Sequence, residues 1–205
     1  MIKRVLFIIL FSLIISVPII YIFIRDSKEL ISKEQKTLKM DDVQLKNYAQ
    51  YNRWANEQFV EWLDNASEEQ LNREVESSFK TILSTVTHLW GAEYGWLKAM
   101  KKEPWGKPYE GEVFNGSTDS LFIGFLQTSK NIEEYVSSLT TKEMNTTRGL
   151  GEDKTPTPLE DIILHVFNHA TFHRGQIITI GRQVGLENPP RTDYIYYIRQ
   201  KEANK

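Results

Sequence analysis

The chain of 205 residues contains no cysteine. This absence excludes disulfide bonds, thiolate metal sites and a cysteine nucleophile. Histidine is also scarce, because the four histidines all lie between positions 88 and 173. A metal site built on histidine must therefore draw on a very small set of side chains.

A concentrated basic surface is missing too. The chain has 25 Lys+Arg and 27 Asp+Glu, a formal net charge of −2, and its basic residues are interspersed with acidic ones. Binding to nucleic acid needs a basic face that displaces counterions from the phosphates. The sequence therefore indicates that nucleic acid is not a partner.

Several catalytic motifs are absent. There is no G-x-S-x-G turn, no Walker-type phosphate loop and no dinucleotide-binding glycine pattern. Ala170 occupies the position at which an H-E-x-x-H zinc peptidase carries its glutamate base. No second ligand cluster resembles the E-x-x-H pairs of di-iron bundles. One histidine-rich segment is left as the candidate site.

The longest apolar run lies at the N-terminus. Residues 5–24 carry no charged side chain, and Lys3 and Arg4 precede them. A helix of about 20 apolar residues crosses a hydrocarbon core. A cleaved signal peptide is the alternative, but its apolar region should be shorter, and no A-x-A-like site follows the run. The run predicts an uncleaved single-pass anchor and a cell-membrane location.

Two features bear on the orientation of this anchor. The short basic start favours an N-in arrangement, which places the downstream domain outside. The larger number of Lys and Arg after the run favours the opposite under the positive-inside rule. We expect the domain outside. Residues 1–24 are thus predicted as anchor, 25–40 as a charged linker and 41–205 as one domain.

Helical periodicity dominates the predicted domain. Apolar residues recur at intervals of three and four over residues 41–64, 78–102, 117–138 and 157–184. The connecting segments 106–117 and 144–157 are rich in turn-forming residues. They could contain a short strand, but they do not predict a sheet. Four amphipathic helices predict an all-α four-helix bundle, and the long connections allow crossovers.

The segment from His165 to Gln176 places three histidines at intervals of four. On a helix, His173 lies about 20°, His169 about 60° and His165 about 100° from the centre of the apolar stripe. His169 and His173 therefore face the core, whereas His165 lies at its edge. Buried imidazoles need partners for their ring nitrogens. The pair is either a metal-binding pair or two histidines bonded to carbonyls or water.

A further histidine lies in the second predicted helix. His88 falls on a flank of that helix, among small side chains: Thr81, Thr85, Ala92, Gly95 and Ala99. Small neighbours leave room for a metal with an open coordination position. They also allow another helix to approach closely, and the pattern does not separate the two interpretations.

Residues 41–205 resemble the DinB/YfiT-like family. NHATFHRGQ (168–176) is similar to the family's N-H-x-x-H-H-R-G-Q signature, and TVTHLWGAEYGWL (85–97) is similar to its H-x-x-x-x-E-x-x-W-L region. YNRWANEQFVEWL (51–63) and GLENPPRTDYIYYIR (185–199) look like its first helix and its Pro-rich tail. Phe172, where many members carry histidine, and the N-terminal apolar run are departures.

The resemblance implies a bundle of the DinB/YfiT type that holds one divalent metal ion through His88, His169 and His173. Three imidazoles suit Zn, Ni or Fe about equally well. Some relatives are thiol S-transferases, so a low-molecular-weight thiol is a candidate cofactor. The implied partner is a small-molecule substrate, and a homodimer stays open.

Three functions are compatible with this pattern. A three-histidine site leaves a position for water or a thiol, which favours a thiol transferase or hydrolase. A non-enzymatic metal-binding stress-response module is the alternative, since no clear acid or base accompanies the histidines. A purely structural metal needs a fourth protein ligand, and only His165 offers one, from an unfavourable direction.

Three polar residues near the histidines have expected roles of their own. Glu93 is expected at an exposed or capped edge rather than behind the metal ligands. Gln176 can orient a ligand histidine. Arg174 is expected to form a pair or to extend to solvent. The sequence assigns none of them a catalytic role.

Overall fold

The computed structural model describes residues 24–27, 42–111, 114–151 and 154–203. The chain divides into two compact units, Met1–Asp41 and Asp42–Lys205. The second unit contains, in chain order, α1 (Asp42–Leu63), α2 (Glu68–Asn72), α3 (Ile82–Met100), α4 (Thr118–Ser138), α5 (Thr141–Met144), β1 (Thr147–Leu150), β2 (Thr155–Pro158), α6 (Leu159–Gln183) and α7 (Tyr194–Ala203).

The prediction of a membrane-spanning helix is wrong. Residues 5–24, except Ile24, lie outside the described residues. Among the residues that are described, no helix is long and apolar enough to cross a bilayer. This finding contradicts the membrane helix in the predicted fold class, and with it the predicted membrane contact and cell-membrane location. Hydropathy measures only how apolar a segment is, and by itself it does not establish a membrane-spanning helix.

The four long helices, α1, α3, α4 and α6, form a bundle. α1 packs against α4 and α6, and α3 packs against the same two helices. The order around the bundle is therefore α1–α4–α3–α6, so the first two long helices of the chain lie diagonally opposite each other. A plain up-and-down bundle would place chain neighbours side by side. The connections before α3 (64–81) and before α6 (139–158) join diagonally opposite helices, and both are long enough to allow the observed arrangement.

Local capping explains where the long helices begin and end. The hydroxyl of Thr81 accepts a hydrogen bond from the backbone N–H of Ser84 at the start of α3. Ser117 accepts in the same way from Ser120 at the start of α4. These caps satisfy backbone donors that a helix leaves without partners. After α6, Gly185 has a φ of +84°, a left-handed conformation that favours glycine and ends the helix.

Most buried apolar residues form two large clusters along the bundle, and Tyr51, Ala55 and Tyr197 form a third, smaller one. Phe59 and Phe125 belong to one large cluster, and Met100 and Phe167 belong to the other. Between the two large clusters, α1, α3 and α4 also carry buried polar side chains. Together with an arginine of α6 they form what we call the polar layer: Asn52, Asn56, Glu93, Ser129 and Arg174.

Two elements, the β1–β2 hairpin and α7, lie in segments for which the sequence predicts no defined secondary structure. Strands β1 and β2 pair antiparallel, from Thr147 opposite Pro158 to Leu150 opposite Thr155. Helix α7 follows the two prolines, and its Tyr197 packs against α1. Both depend on contacts between residues that the periodicity of a single segment does not reveal.

Candidate metal centre

Three imidazole nitrogens converge between α3 and α6. Nε2 of His169 lies 3.2 Å from Nε2 of His88 and 3.1 Å from Nε2 of His173. One ring nitrogen from each of the three lies within 4.8 Å of the others. His169 and His173 stand one turn apart on α6, and the packing of α3 against α6 brings His88 to them. The structure therefore brings together the three predicted ligands.

A hydrogen bond to Gln176 defines the tautomer of His173. Nδ1 of His173 lies 2.6 Å from Oε1 of Gln176. An amide oxygen only accepts, so Nδ1 carries the proton and donates it. Nε2 of His173 then presents a lone pair to the other two rings. Gln176 thus orients this histidine, as its place on α6 suggests.

The donor set fits a divalent cation. If all three rings are neutral, Nε2 of His169 can donate to one neighbour at most, so lone pairs face each other elsewhere in the cluster. A cation between the three nitrogens satisfies all the lone pairs together. In a tetrahedral site with metal–nitrogen bonds of about 2.0–2.1 Å, ligand nitrogens are about 3.3–3.4 Å apart, close to the separations above.

The cluster offers three protein nitrogens as candidate metal ligands. Among the described residues, no carboxylate joins His88, His169 and His173. Structural zinc sites are normally closed by four protein ligands, whereas catalytic sites use three and keep one position open. The donor set is therefore of the open kind.

Phe79, in the segment before α3, covers part of the cluster. Its ring stacks on His88 with centroids 4.2 Å apart and meets His173 edge-on at 5.5 Å. These contacts restrict the orientation of both imidazoles. Phe79 was not among the residues predicted from the sequence. Its only sequence signal is that a large aromatic residue stands two positions before Thr81, the N-cap of α3.

The surroundings of the three histidines keep them neutral. Burial, together with the nearby His173, His88 and His165, lowers the pKa of His169 to about 4. Burial also lowers the pKa of His88, with a smaller contribution from His173. It lowers the pKa of His173 against the opposing effect of Gln176. Neutral imidazole is the form that binds a metal, so at neutral pH the cluster needs to lose no protons.

These shifts predict that the metal-free protein becomes less stable as the pH falls from 7 to 5. The pKa of His169, about 4 in the folded state, is below the value of about 6.5 expected in the unfolded chain. Between these values the unfolded state binds more protons, so the free energy of unfolding decreases with falling pH. Urea denaturation of metal-free protein across this range measures the slope.

Two variants test the origin of that slope. His169→Ala should reduce the pH dependence, whereas His165→Ala, an exposed histidine on the same helix, should reduce it much less. Equal slopes in the wild type and in His169→Ala would contradict the assignment.

His165 and Phe172 lie outside the cluster. His165 is exposed, and its ring packs against Trp96 with centroids 4.8 Å apart. This placement agrees with its predicted position at the edge of the stripe. Phe172 is 62 % exposed and contacts the ring of His173. Phenylalanine at this position therefore leaves the three converging nitrogens in place.

Glu93 differs from its prediction, whereas Arg174 is paired within the protein, which is one of the two roles predicted for it. Glu93 is 1 % exposed, and its Oε1 accepts hydrogen bonds from the side-chain amides of Asn52 and Asn56. Arg174 is also buried and donates to the oxygens of the same two amides. Glu93 therefore lies at no exposed edge, and Arg174 does not extend to solvent.

Glu93 is electrostatically unusual within the polar layer. Burial raises its pKa, although Asn52, Asn56 and Arg174 act in the opposite direction. Its Oε2 is buried and has no hydrogen-bond partner among the described residues. A buried carboxyl oxygen without a hydrogen-bond partner is energetically unfavourable. Because the positive charge of Arg174 opposes the effect of burial on Glu93, we expect the contributions of the two side chains to stability to be coupled.

Comparison with solved structures supports the bundle. A DinB-like protein from Bacillus cereus ATCC 10987 has 23% sequence identity and a TM-score of 0.56, and the match covers 70% of this chain and 94% of that one. YfiT from Bacillus subtilis has 15% identity and a TM-score of 0.58, covering 73% and 92%. YfiT is described as a probable metal-dependent hydrolase with an unusual four-helix bundle topology. At these identities the likeness shows the fold.

Sequence comparison identifies the family. Protein DinB of Bacillus subtilis (strain 168) is 28% identical over 191 residues, which covers 81% of this chain and 99% of that protein. The sequence profile of the DinB family matches residues 36–205, most of the chain and all of the candidate metal centre. The chain therefore belongs to the DinB family.

Proposed function

We propose that the domain over residues 41–205 binds one divalent metal ion through His88, His169 and His173 and is a metal-dependent hydrolase of a small molecule. The observation that carries the proposal is the convergence of three Nε2 atoms with separations of 3.1 Å and 3.2 Å around His169. Zn, Ni and Fe(II) are all suited to three imidazoles.

The chemistry that such an ion supplies is Lewis-acid chemistry, which lowers the pKa of a coordinated water or thiol into the neutral range. The residues of the chain hold and orient the ligands. Gln176 fixes the tautomer of His173, and Phe79 packs on His88. The lowered pKa of His169 keeps its imidazole unprotonated at neutral pH.

Hydrolysis is favoured over thiol transfer as the first reaction to test. YfiT, which has the same fold, is described as a probable metal-dependent hydrolase. Thiol transfer by a low-molecular-weight thiol is the second candidate, because the same open three-histidine set accommodates sulfur as well as oxygen. A non-enzymatic metal-binding module is the remaining alternative.

The test uses the full chain loaded separately with Zn, Ni and Fe(II). Ester, amide and phosphoester substrates report hydrolysis, and electrophiles with a small thiol report transfer. We expect turnover in the wild type, at least a hundredfold loss in His88→Ala and little change in His165→Ala. Equal turnover in His88→Ala would contradict the proposed site. Stoichiometric metal without turnover would favour the non-enzymatic alternative.

A further inference from the structure

A cavity of about 490 Å³ opens beside the three-histidine cluster. It lies between the beginning of α3, the segment that precedes α4 and the beginning of α4. His88 and the Phe79 ring that stacks on it are both in its wall. A molecule in the cavity therefore lies next to the proposed metal site.

Other cavities fit this role less well. The one lined by Phe172 and Gln176 has a volume of about 270 Å³, below the usual range of about 300–1,000 Å³ for ligand sites. A cavity of about 730 Å³ beside β1 and one of about 420 Å³ between α1 and α4 have none of the three histidines among their described lining residues. The cavity beside His88 combines adequate size with access to the cluster.

The wall of this cavity is largely apolar and aromatic. Its apolar lining consists of Phe79, Leu83, Tyr109, Phe114 and Leu121. The rings of Tyr109 and Phe114 are themselves supported by the buried ring of Trp90, with centroids 5.7 Å and 5.3 Å away. Rings held in this way offer flat surfaces to a planar apolar group.

Among the described residues, the lining offers no unpaired charge to a ligand. Lys107 carries the only formal charge there, and it already interacts within the protein. Asn72 and Thr118, also in the lining, both donate to the carboxylate of Glu68, at 3.1 Å and 2.8 Å. Moving a charged group out of water without an opposite charge beside it is costly. A molecule enclosed in this cavity is therefore expected to be uncharged.

Tyr109 supplies a hydrogen-bond donor that the protein does not use. Other hydroxyls of the lining donate to acceptors within the protein, namely those of Thr81, Ser84, Thr87, Ser117 and Thr118. The hydroxyl of Tyr109 has no hydrogen-bond partner among the described residues. Its oxygen lies against α3, where a Cβ on Gly91 would be 3.7 Å away. Gly91 follows the lining residue Thr87 by one turn on the same face of α3, so the hydroxyl is on the cavity side of that helix.

We infer that this cavity binds the substrate of the three-histidine site, and that the substrate is an uncharged molecule with an aromatic body and an oxygen that accepts a hydrogen bond, as in an ester or an amide. The body packs between Phe79 and Phe114, and the oxygen accepts from the hydroxyl of Tyr109. Its role as substrate rests on the proposed function, whereas binding in the cavity requires no metal.

The experiment measures binding to the full-length protein, prepared without metal, by ¹⁹F NMR titration near neutral pH. The probes are 3-(4-fluorophenyl)propionamide, which is uncharged, and 3-(4-fluorophenyl)propionate, which has the same body and a negative charge. We expect the amide to bind at least about threefold more tightly, because the carboxylate loses more hydration on entering the cavity. Equal or tighter binding of the carboxylate would overturn the inference.

Tyr109→Phe tests the hydrogen bond and keeps the ring. It should weaken binding of the amide about two- to tenfold, the range of one neutral hydrogen bond. Binding of 1-fluoro-4-propylbenzene, which has no accepting oxygen, should stay the same. Tyr196→Phe, at an exposed tyrosine of α7, is the matched control and should bind both probes as the wild type does. Unchanged amide binding in Tyr109→Phe, or equal weakening of both probes, would contradict the role of this hydroxyl.

A cavity-filling variant locates the probe. Thr87 lines the cavity from the middle of α3, so Thr87→Phe should weaken binding of the amide at least tenfold. Thr179→Phe, on the exposed side of α6, is the matched control, because both hydroxyls donate to a carbonyl one turn earlier in their helices. It should bind as the wild type does. Circular dichroism confirms that the variants are folded.

The inference and the proposed function fail in different ways. Amide binding that Thr87→Phe blocks and His169→Ala retains supports the cavity, even if elemental analysis finds no metal. Metal-dependent turnover whose KM is unchanged in both Tyr109→Phe and Thr87→Phe supports the metal centre and overturns the cavity. Absence of amide binding also overturns it.

Discussion

His169→Ala should remove the metal from the protein and lower its metal affinity more than about 100-fold. Losing an outer group that only orients a ligand already costs about 10–100-fold, and this variant removes the ligand itself. His169 is the central member, because its Nε2 lies 3.2 Å and 3.1 Å from the Nε2 atoms of His88 and His173. Elemental analysis and titration against a chromophoric chelator measure the loss.

The matched control for this variant is His165→Ala. His165 is on the same helix and is exposed, with its ring on Trp96, so the control should retain the metal at wild-type affinity. Loss of metal in His165→Ala together with retention in His169→Ala would overturn the choice of ligands. Metal-free His169→Ala should remain folded, because the substitution removes a repulsive contact between lone pairs.

Arg174→Met should lower the free energy of unfolding by about 2–6 kcal/mol, because each of two buried amide oxygens left without a donor costs about 1–3 kcal/mol. Arg174 donates to Oδ1 of Asn52 at 2.9 Å and of Asn56 at 2.7 Å. These two amides in turn donate to Glu93. The variant leaves two amide oxygens without a donor and Glu93 without its nearby cation. Urea denaturation of the metal-free protein measures the change.

Two further variants separate charge from packing. Arg182→Met, at an exposed position of the same helix, should change stability by less than about 0.5 kcal/mol. Adding Glu93→Gln to Arg174→Met should restore part of the loss, because the double variant no longer buries an unpaired carboxyl group. A change below about 1 kcal/mol in Arg174→Met would contradict coupling through the polar layer.

The long helices were predictable because their signals are local. The periodicity over residues 78–102 and 157–184 corresponds to α3 (Ile82–Met100) and α6 (Leu159–Gln183). Each prediction is longer than the helix by a few residues, since apolar spacing does not mark caps such as Thr81. The hairpin of β1 and β2 was not predictable, because its short strands are defined by pairing with each other.

The site was only partly predictable. Rotation along one helix separates His169 and His173 from His165, because all three lie on the same regular backbone. That reasoning leaves His88 open between metal binding and close helix packing, and family resemblance favoured the metal. Glu93 was misplaced because a single-helix projection shows which face a residue occupies but not which side chains of the other helices meet it.

By itself, the sequence determined the four amphipathic helices, the absence of any cysteine thiolate in the chain and the inward direction of two histidines. The tertiary structure decided that His88 meets His169, 81 positions away, and that Arg174 meets Asn52, 122 positions away. It also decided the order of the helices around the bundle and the cavity beside His88. Periodicity describes one helix and its faces, whereas these contacts depend on how four separate helices pack together.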